Sequence, residues 1–162
     1  DAATANAGDA VPEGGAAATD GSPWVLHFFS TTVSPTTREI ETVLLPLAQR
    51  YGERGLLLAG CSTDREMSAA EIARTKANWE EWGKKDVLRD GRLESVREWA
   101  AEQGVTWPWT WDGKWLQSAL VTELGVPVNA PFAILVDARG VIRWRGEPYQ
   151  GLAEAVEKLL GE

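Results

Sequence analysis

Two regimes of apolar and polar patterning divide the chain. Residues 1 to 22, DAATANAGDAVPEGGAAATDGS, show no apolar period, whereas from Pro23 onward short apolar runs alternate with stretches of helical spacing. Trp24 to Phe29 (WVLHFF) is nearly continuous in apolar and aromatic side chains, which predicts a strand buried on both faces of a central sheet. In the STTVSPTTRE that follows, Ser34 is a natural N-cap and Pro35 takes the first helical position. Ile40, Val43, Leu44, Leu47 and Tyr51 then recur at helical spacing, and Pro46 inside that helix predicts a kink.

After a stop at Gly52 to Gly55, Leu56 to Cys61 (LLLAGC) reads as a second buried strand ending in the polar turn STDRE. Ser68 with Glu71 forms a capping box for a helix to about Trp82, and Leu93 to Gln103 predicts another helix after the charged loop GKKDVLRDG. Trp107, Trp109 and Trp111 alternate with Pro108 and Thr110, which in an extended chain puts three rings on one face. Leu116 to Leu124 looks helical and ends at Gly125. Phe132 to Asp137 and Val141 to Arg145 flank a short turn and predict a hairpin, followed by a helix from about Leu152 to Leu160. A hairpin after parallel crossovers makes the sheet mixed, in an α/β fold.

Composition narrows the chemistry. The chain is 162 residues long with 44% apolar and 25% charged side chains, the make-up of one globular domain. Residues 1–22 read as a flexible, acidic Ala/Gly-rich linker or tail and 23–162 as the folded domain. A formal net charge of -8 offers no basic field to nucleic acid or to an anionic membrane surface, so neither is expected as a partner. No apolar run approaches the ~20 residues of a membrane span, and the start at Asp1 carries no signal-peptide pattern. The chain therefore reads as soluble, without membrane insertion.

One cysteine, Cys61, and one histidine, His27, are present. That count forbids an internal disulfide, a dithiol couple and a thiolate or imidazole metal site, so no metal and no cofactor is expected. Cys61 ends a buried strand and reads as a small core residue, with a lone reactive thiol as the sharper alternative. His27 reads as a packed or singly hydrogen-bonded histidine. Capping accounts for Ser34, because no base or oxyanion hole accompanies it. Trp107, Trp109, Trp111 and Trp115 either pack a core or form an aromatic surface for a protein, peptide or sugar, with Trp79 and Trp82 extending a similar helical face.

This order of elements, with its local sequence, resembles the thioredoxin-like superfamily, in particular TlpA/ResA-like and redoxin domains. The resemblance runs from about Pro23 to the C-terminus through WVLHFFSTTVSPTTREIE, LLLAGCSTD, GVTWPWTWDG with LVTELGV, and VPVNAPFAILVDARGVIRWRG. It implies a three-layer α/β/α fold with a central mixed sheet, a C-terminal hairpin and a closing helix. It also implies a substrate groove between the active-site loop, here Val33, Ser34, Pro35 and Thr36, and the loop of Asn129, Ala130 and Pro131, whose Ala130–Pro131 bond is cis in that family.

The departure is chemical. Val33 to Thr36 stand where the family carries a CxxC pair, and both thiols are missing. Aligning Ser34 with a peroxidatic cysteine fails likewise, since a hydroxyl cannot reduce a peroxide. The reading that follows is a redox-inactive domain that binds a protein or peptide, or serves as a structural part of a larger assembly. The alternative is a thiol-disulfide oxidoreductase or peroxidase relying on Cys61. The resemblance also implies an extracytoplasmic location.

Overall fold

The computed structural model describes residues 21–32, 34–83, 90–127 and 131–161. The tail of residues 1–20, most of the charged loop, Val33, Asn129 and Ala130 lie outside them, and so does the Ala130–Pro131 bond.

Five strands form one mixed sheet: β1 (Trp24–Phe29), β2 (Leu57–Ser62), β3 (Trp109–Thr110), β4 (Phe132–Val136) and β5 (Ile142–Gly146), in the order β3-β2-β1-β4-β5. β1 is central and all six of its residues are buried, as its continuous apolar run requires. It pairs parallel with β2 and antiparallel with β4, and β4 pairs antiparallel with β5 across a bulge at Leu135 and Val136. Asp137 organises that hairpin turn, accepting the N–H groups of Arg139 at 2.8 Å and Val141 at 3.0 Å and Nε of Arg143 at 2.6 Å.

The helices are α1 (Ser34–Glu39), α2 (Leu45–Tyr51), α3 (Ala69–Glu81), α4 (Leu93–Glu102), α5 (Ala119–Glu123) and α6 (Leu152–Leu160). The kink expected at Pro46 takes the form of a π-helical turn, Ile40–Leu44, between α1 and α2. Leu45 N–H donates to the Ile40 carbonyl five residues back, and Pro46 has no N–H with which to continue an ordinary ladder. The capping box of α3 forms as expected, with Ser68 and Glu71 each closing on the other's backbone N–H.

Side chains of β1 alternate between two cores. Val25 and Phe29 join the larger one, with Ile40, Leu44, Leu47 and Tyr51 of the first helical stretch, Val96, Trp99 and Ala100 of α4, and Leu152 and Val156 of α6. Trp24, Leu26 and Phe28 face the smaller one, with Val121 of α5, Leu124 and Val126. Helices thus cover both faces of the sheet, the expected layering.

Two expectations are corrected. The helix read over Leu116 to Leu124 is broken by extended backbone at Ser118 (φ -61°, ψ 131°), leaving a 3-10 turn, Trp115–Gln117, ahead of α5. Ser118 acts as the residue before a new helix, and its carbonyl takes the Thr122 N–H and hydroxyl, both at 3.0 Å. The Trp-Pro-Trp-Thr-Trp segment adds the unpredicted edge strand β3, which pairs with Gly60 and Cys61.

Gly60 tests that edge. A Cβ there would lie 2.9 Å from Cβ of Trp109 and 3.0 Å from the Phe29 ring, and neither is the free end of a flexible chain. Gly60→Ala is expected to destabilise the domain by about 1–3 kcal/mol in urea unfolding. An unchanged midpoint would show that β3 yields at no cost.

Candidate functional site

Because β1 and β2 are parallel, with Phe29 beside Ser62, their carboxyl ends and the loops that leave them share one edge of the sheet. A buried carboxylate joins the two loops. Asp64 accepts hydrogen bonds from Ser30 Oγ (2.8 Å), from the Thr31 N–H (3.1 Å to each oxygen) and from Ser62 Oγ (3.1 Å). Thr63 N–H also donates to the Phe29 carbonyl at 2.8 Å. The chain is thus fixed as it leaves β1 for the start of α1. Thr36, in that first helical turn, is buried.

β4 begins at the same edge, with Phe132 opposite Phe28 and their rings 6.2 Å apart. Half-buried Pro131, one residue earlier, therefore comes in beside the end of β1. Of the sequence-derived groove, Thr36 and Pro131 are described fully. Ser34 and Pro35 are described in backbone only, while Val33, Asn129 and Ala130 lie outside the described residues.

Beneath this edge the sequence reading missed a residue. His27 is singly hydrogen-bonded, through Nε2 to Oε2 of Glu39 at 3.2 Å, and the two side chains are 1% and 0% exposed. Oε1 of Glu39 is buried without a hydrogen-bond partner. In the sheet His27 aligns with Gly60 on one side and with Ala133 and then Gly146 on the other. Small residues thus align with it on three strands, with Trp109 and Phe29 packed over Gly60 and the Trp144 ring over Gly146. Burial raises the Glu39 carboxyl above its ordinary value, the His27 hydrogen bond and charge draw it partly back, and Glu147 raises it further. The signal was present in sequence: Thr36, Glu39, Val43 and Leu47 run along one helical stripe, and Glu39 is the acid within it.

Cys61 lies on the other face. It pairs with Phe28 in register and packs with Trp24, Leu26 and Phe28, away from Glu39. Burial pushes its thiol up to about 11, with Thr110 drawing it down and Asp112 raising it. At neutral pH it is a protonated thiol in a core.

The tryptophans divide. Trp107 is buried, while Trp109 and Trp111 are half-buried against the same core, and Trp111 Nε1 donates to the Gly91 carbonyl at 2.9 Å. Trp115 is exposed, in a left-handed backbone conformation (φ 52°), and Trp82 is 64% exposed. Separately, a groove of about 560 Å³ runs between the first helical stretch and α6, lined by Thr42, Pro46, Pro148 and Tyr149 among others. Among its lining residues none belongs to the sequence-derived site.

No protein-family model and no curated protein matches the sequence. Solved structures do match in fold. The thioredoxin domain of a thiol-disulfide oxidoreductase from Bacteroides vulgatus is 21% identical, with 86% of this chain and 80% of that chain covered, at a TM-score of 0.62. A thiol:disulfide interchange protein from Bacteroides sp. is 19% identical over 88% of this chain and 75% of that one, at 0.60. A putative thiol:disulfide interchange protein DsbE from Chlorobium tepidum is 14% identical over 87% and 82%, also at 0.60. The chain has the thioredoxin-like fold.

The buried acid gives a pH test. Its folded value lies above the ordinary 4.5, so the stability it contributes is complete below that value and is lost as pH rises through the raised one. Relative to wild type, Glu39→Gln therefore gains stability as pH rises from the ordinary carboxyl value of 4.5 through the raised one, measured by urea midpoints from acid to neutral pH. A difference that stays constant over that range would contradict a raised Glu39.

Proposed function

We propose that this chain is a TlpA-type thioredoxin-like domain that binds an extended polypeptide segment without exchanging electrons. The observation that carries the reading is the state of its single cysteine: Cys61 is buried in β2, with its thiol pushed up to about 11. Thiol exchange needs an accessible thiolate and a second thiol to resolve the mixed disulfide. Neither accompanies Val33 to Thr36.

The binding surface in this reading is Val33, Ser34, Pro35 and Thr36 on one side and Asn129, Ala130 and Pro131 on the other. In TlpA-like proteins the backbone beside the proline pairs with an extended substrate, a mode that draws affinity from main-chain hydrogen bonds. The exposed Trp115 and Trp82 offer further aromatic contact area to a protein partner. The domain works on the extracytoplasmic side, as the resemblance implies, with its acidic tail tethering it within a larger assembly. Among the described residues no helix is long and apolar enough to cross a membrane. The rival reading, an oxidoreductase or peroxidase relying on Cys61, requires that thiol to reach solvent.

Reaction with a disulfide reagent separates the two. In the native protein Cys61 is expected to label at least about a hundredfold more slowly than in urea, with no reduction of insulin and no consumption of peroxide. Rapid labelling, or turnover abolished by Cys61→Ser, overturns the binding reading in favour of the enzyme. Binding itself is measured with reduced ribonuclease A blocked by iodoacetamide, an unfolded basic chain without free thiols. Wild type binds it and Val33→Lys weakens binding at least about tenfold, while equal binding by the two removes the groove from the reading.

A further inference from the structure

One side chain of β5 holds both ends of the segment that leads into β4. Arg145 pairs with Ile134 in register and turns to the smaller core, the face that carries α5. Through Nη2 it donates to the carbonyl oxygens of Leu124 at 2.9 Å and Gly125 at 3.0 Å. Its guanidinium carbon also lies 5.0 Å from the centre of the Phe132 ring. Leu124 and Gly125 close α5, and Phe132 opens β4, so the contacts bracket residues 126–131 at their two ends.

Each contact has a physical reason. The last carbonyls of a helix have no partner within it, and a cation near that end satisfies them and matches the helix dipole. α5 has five residues, too few to hold its own geometry without tertiary help. Nη2 serves both carbonyls while the flat guanidinium lies over the aromatic ring, a planar contact that a tetrahedral ammonium does not reproduce. Phe132 in turn packs on Phe28, at the end of β1 from which the other loop leaves. A continuous chain of contacts runs from Arg145 through Phe132 to Phe28, near the end of β1.

We infer that Arg145 is a positioning residue for the groove, setting the place of Pro131 relative to the end of β1. The inference rests on the binding reading above and deepens it. Arg145 touches no ligand in this role; it acts through Phe132 and the two carbonyls.

The test uses the full chain with Arg145→Lys, which keeps the charge and loses the guanidinium plane. Phe132→Leu serves as a second variant that removes the ring and keeps an apolar side chain. Amide exchange is followed at Val126 and Phe132, which flank the segment, and at Leu58 and Ala59 of β2. Binding of the iodoacetamide-blocked ribonuclease A is followed in parallel. Exchange at Val126 and Phe132 is expected to rise at least about tenfold with β2 unchanged, and affinity to fall at least about tenfold. A rise at all four amides means that Arg145 supports the whole domain, and overturns the inference. Faster exchange at the two flanking amides with undiminished affinity overturns it too, while leaving the binding reading in place. If wild type itself fails to bind, the binding reading falls, and the exchange pattern alone decides whether Arg145 holds the segment.

Discussion

A carboxyl and an imidazole buried together over the middle of the sheet are the constraint on which the surrounding structure depends. Taking either group out of water as an isolated ion costs several kcal/mol, so the pair belongs together and belongs in a space made for it. The pair is free of net charge when it carries one proton between its two groups. Gly60, Ala133 and Gly146 stand in line with His27, each on a different strand. A Cβ at Gly60 would meet Trp109 and the Phe29 ring, and one at Gly146 the Trp144 ring, so these two glycines make room for the aromatic rings packed beside the pair.

The path of the first helical stretch follows from the same demand. Glu39 and Leu44 are both fully buried, yet they stand five residues apart, which on an ordinary helix would turn them to different faces. The π turn between them widens the helix so that both meet the sheet. Pro46 supports this geometry, since a residue without an N–H loses least where the ladder has already shifted. What the sequence announces as a kink is thus the means by which a buried acid and a buried leucine share one side of a helix.

Much of this was legible in the sequence. The nearly continuous apolar and aromatic run from Trp24 to Phe29 identified β1, the Ser68 and Glu71 pair identified the start of α3, and the Phe132 to Arg145 pattern identified the hairpin. The misses have physical causes. β3 is only Trp109 and Thr110, inside a segment whose alternating tryptophans predict an extended chain but not a hydrogen-bonded partner. Ser118 interrupts a stretch of helix formers by taking an extended backbone conformation without a side-chain capping bond, so local propensity did not announce the break. Glu39 escaped notice because a glutamate on a helix is ordinarily solvated, and its significance appears only with His27 beside it. Asp64 was visible as an acid in a turn, but its grip on Ser30 and Thr31 joins residues more than thirty positions apart.

The solved structures of similar fold carry names from thiol-disulfide chemistry, yet a fold transmits geometry rather than reactivity. Here the lone thiol sits on the face of the sheet opposite the buried acid, so the two cannot act on one substrate atom. What the frame does retain is order at the edge where β1 ends and β4 begins. Asp64 holds Ser30 and Thr31 on one side, and on the other Arg145 bonds the carbonyls of Leu124 and Gly125 and lies over the Phe132 ring. Residues already held by buried polar contacts lose little conformational freedom on docking, and that pre-organisation is the physical ground for the proposed binding.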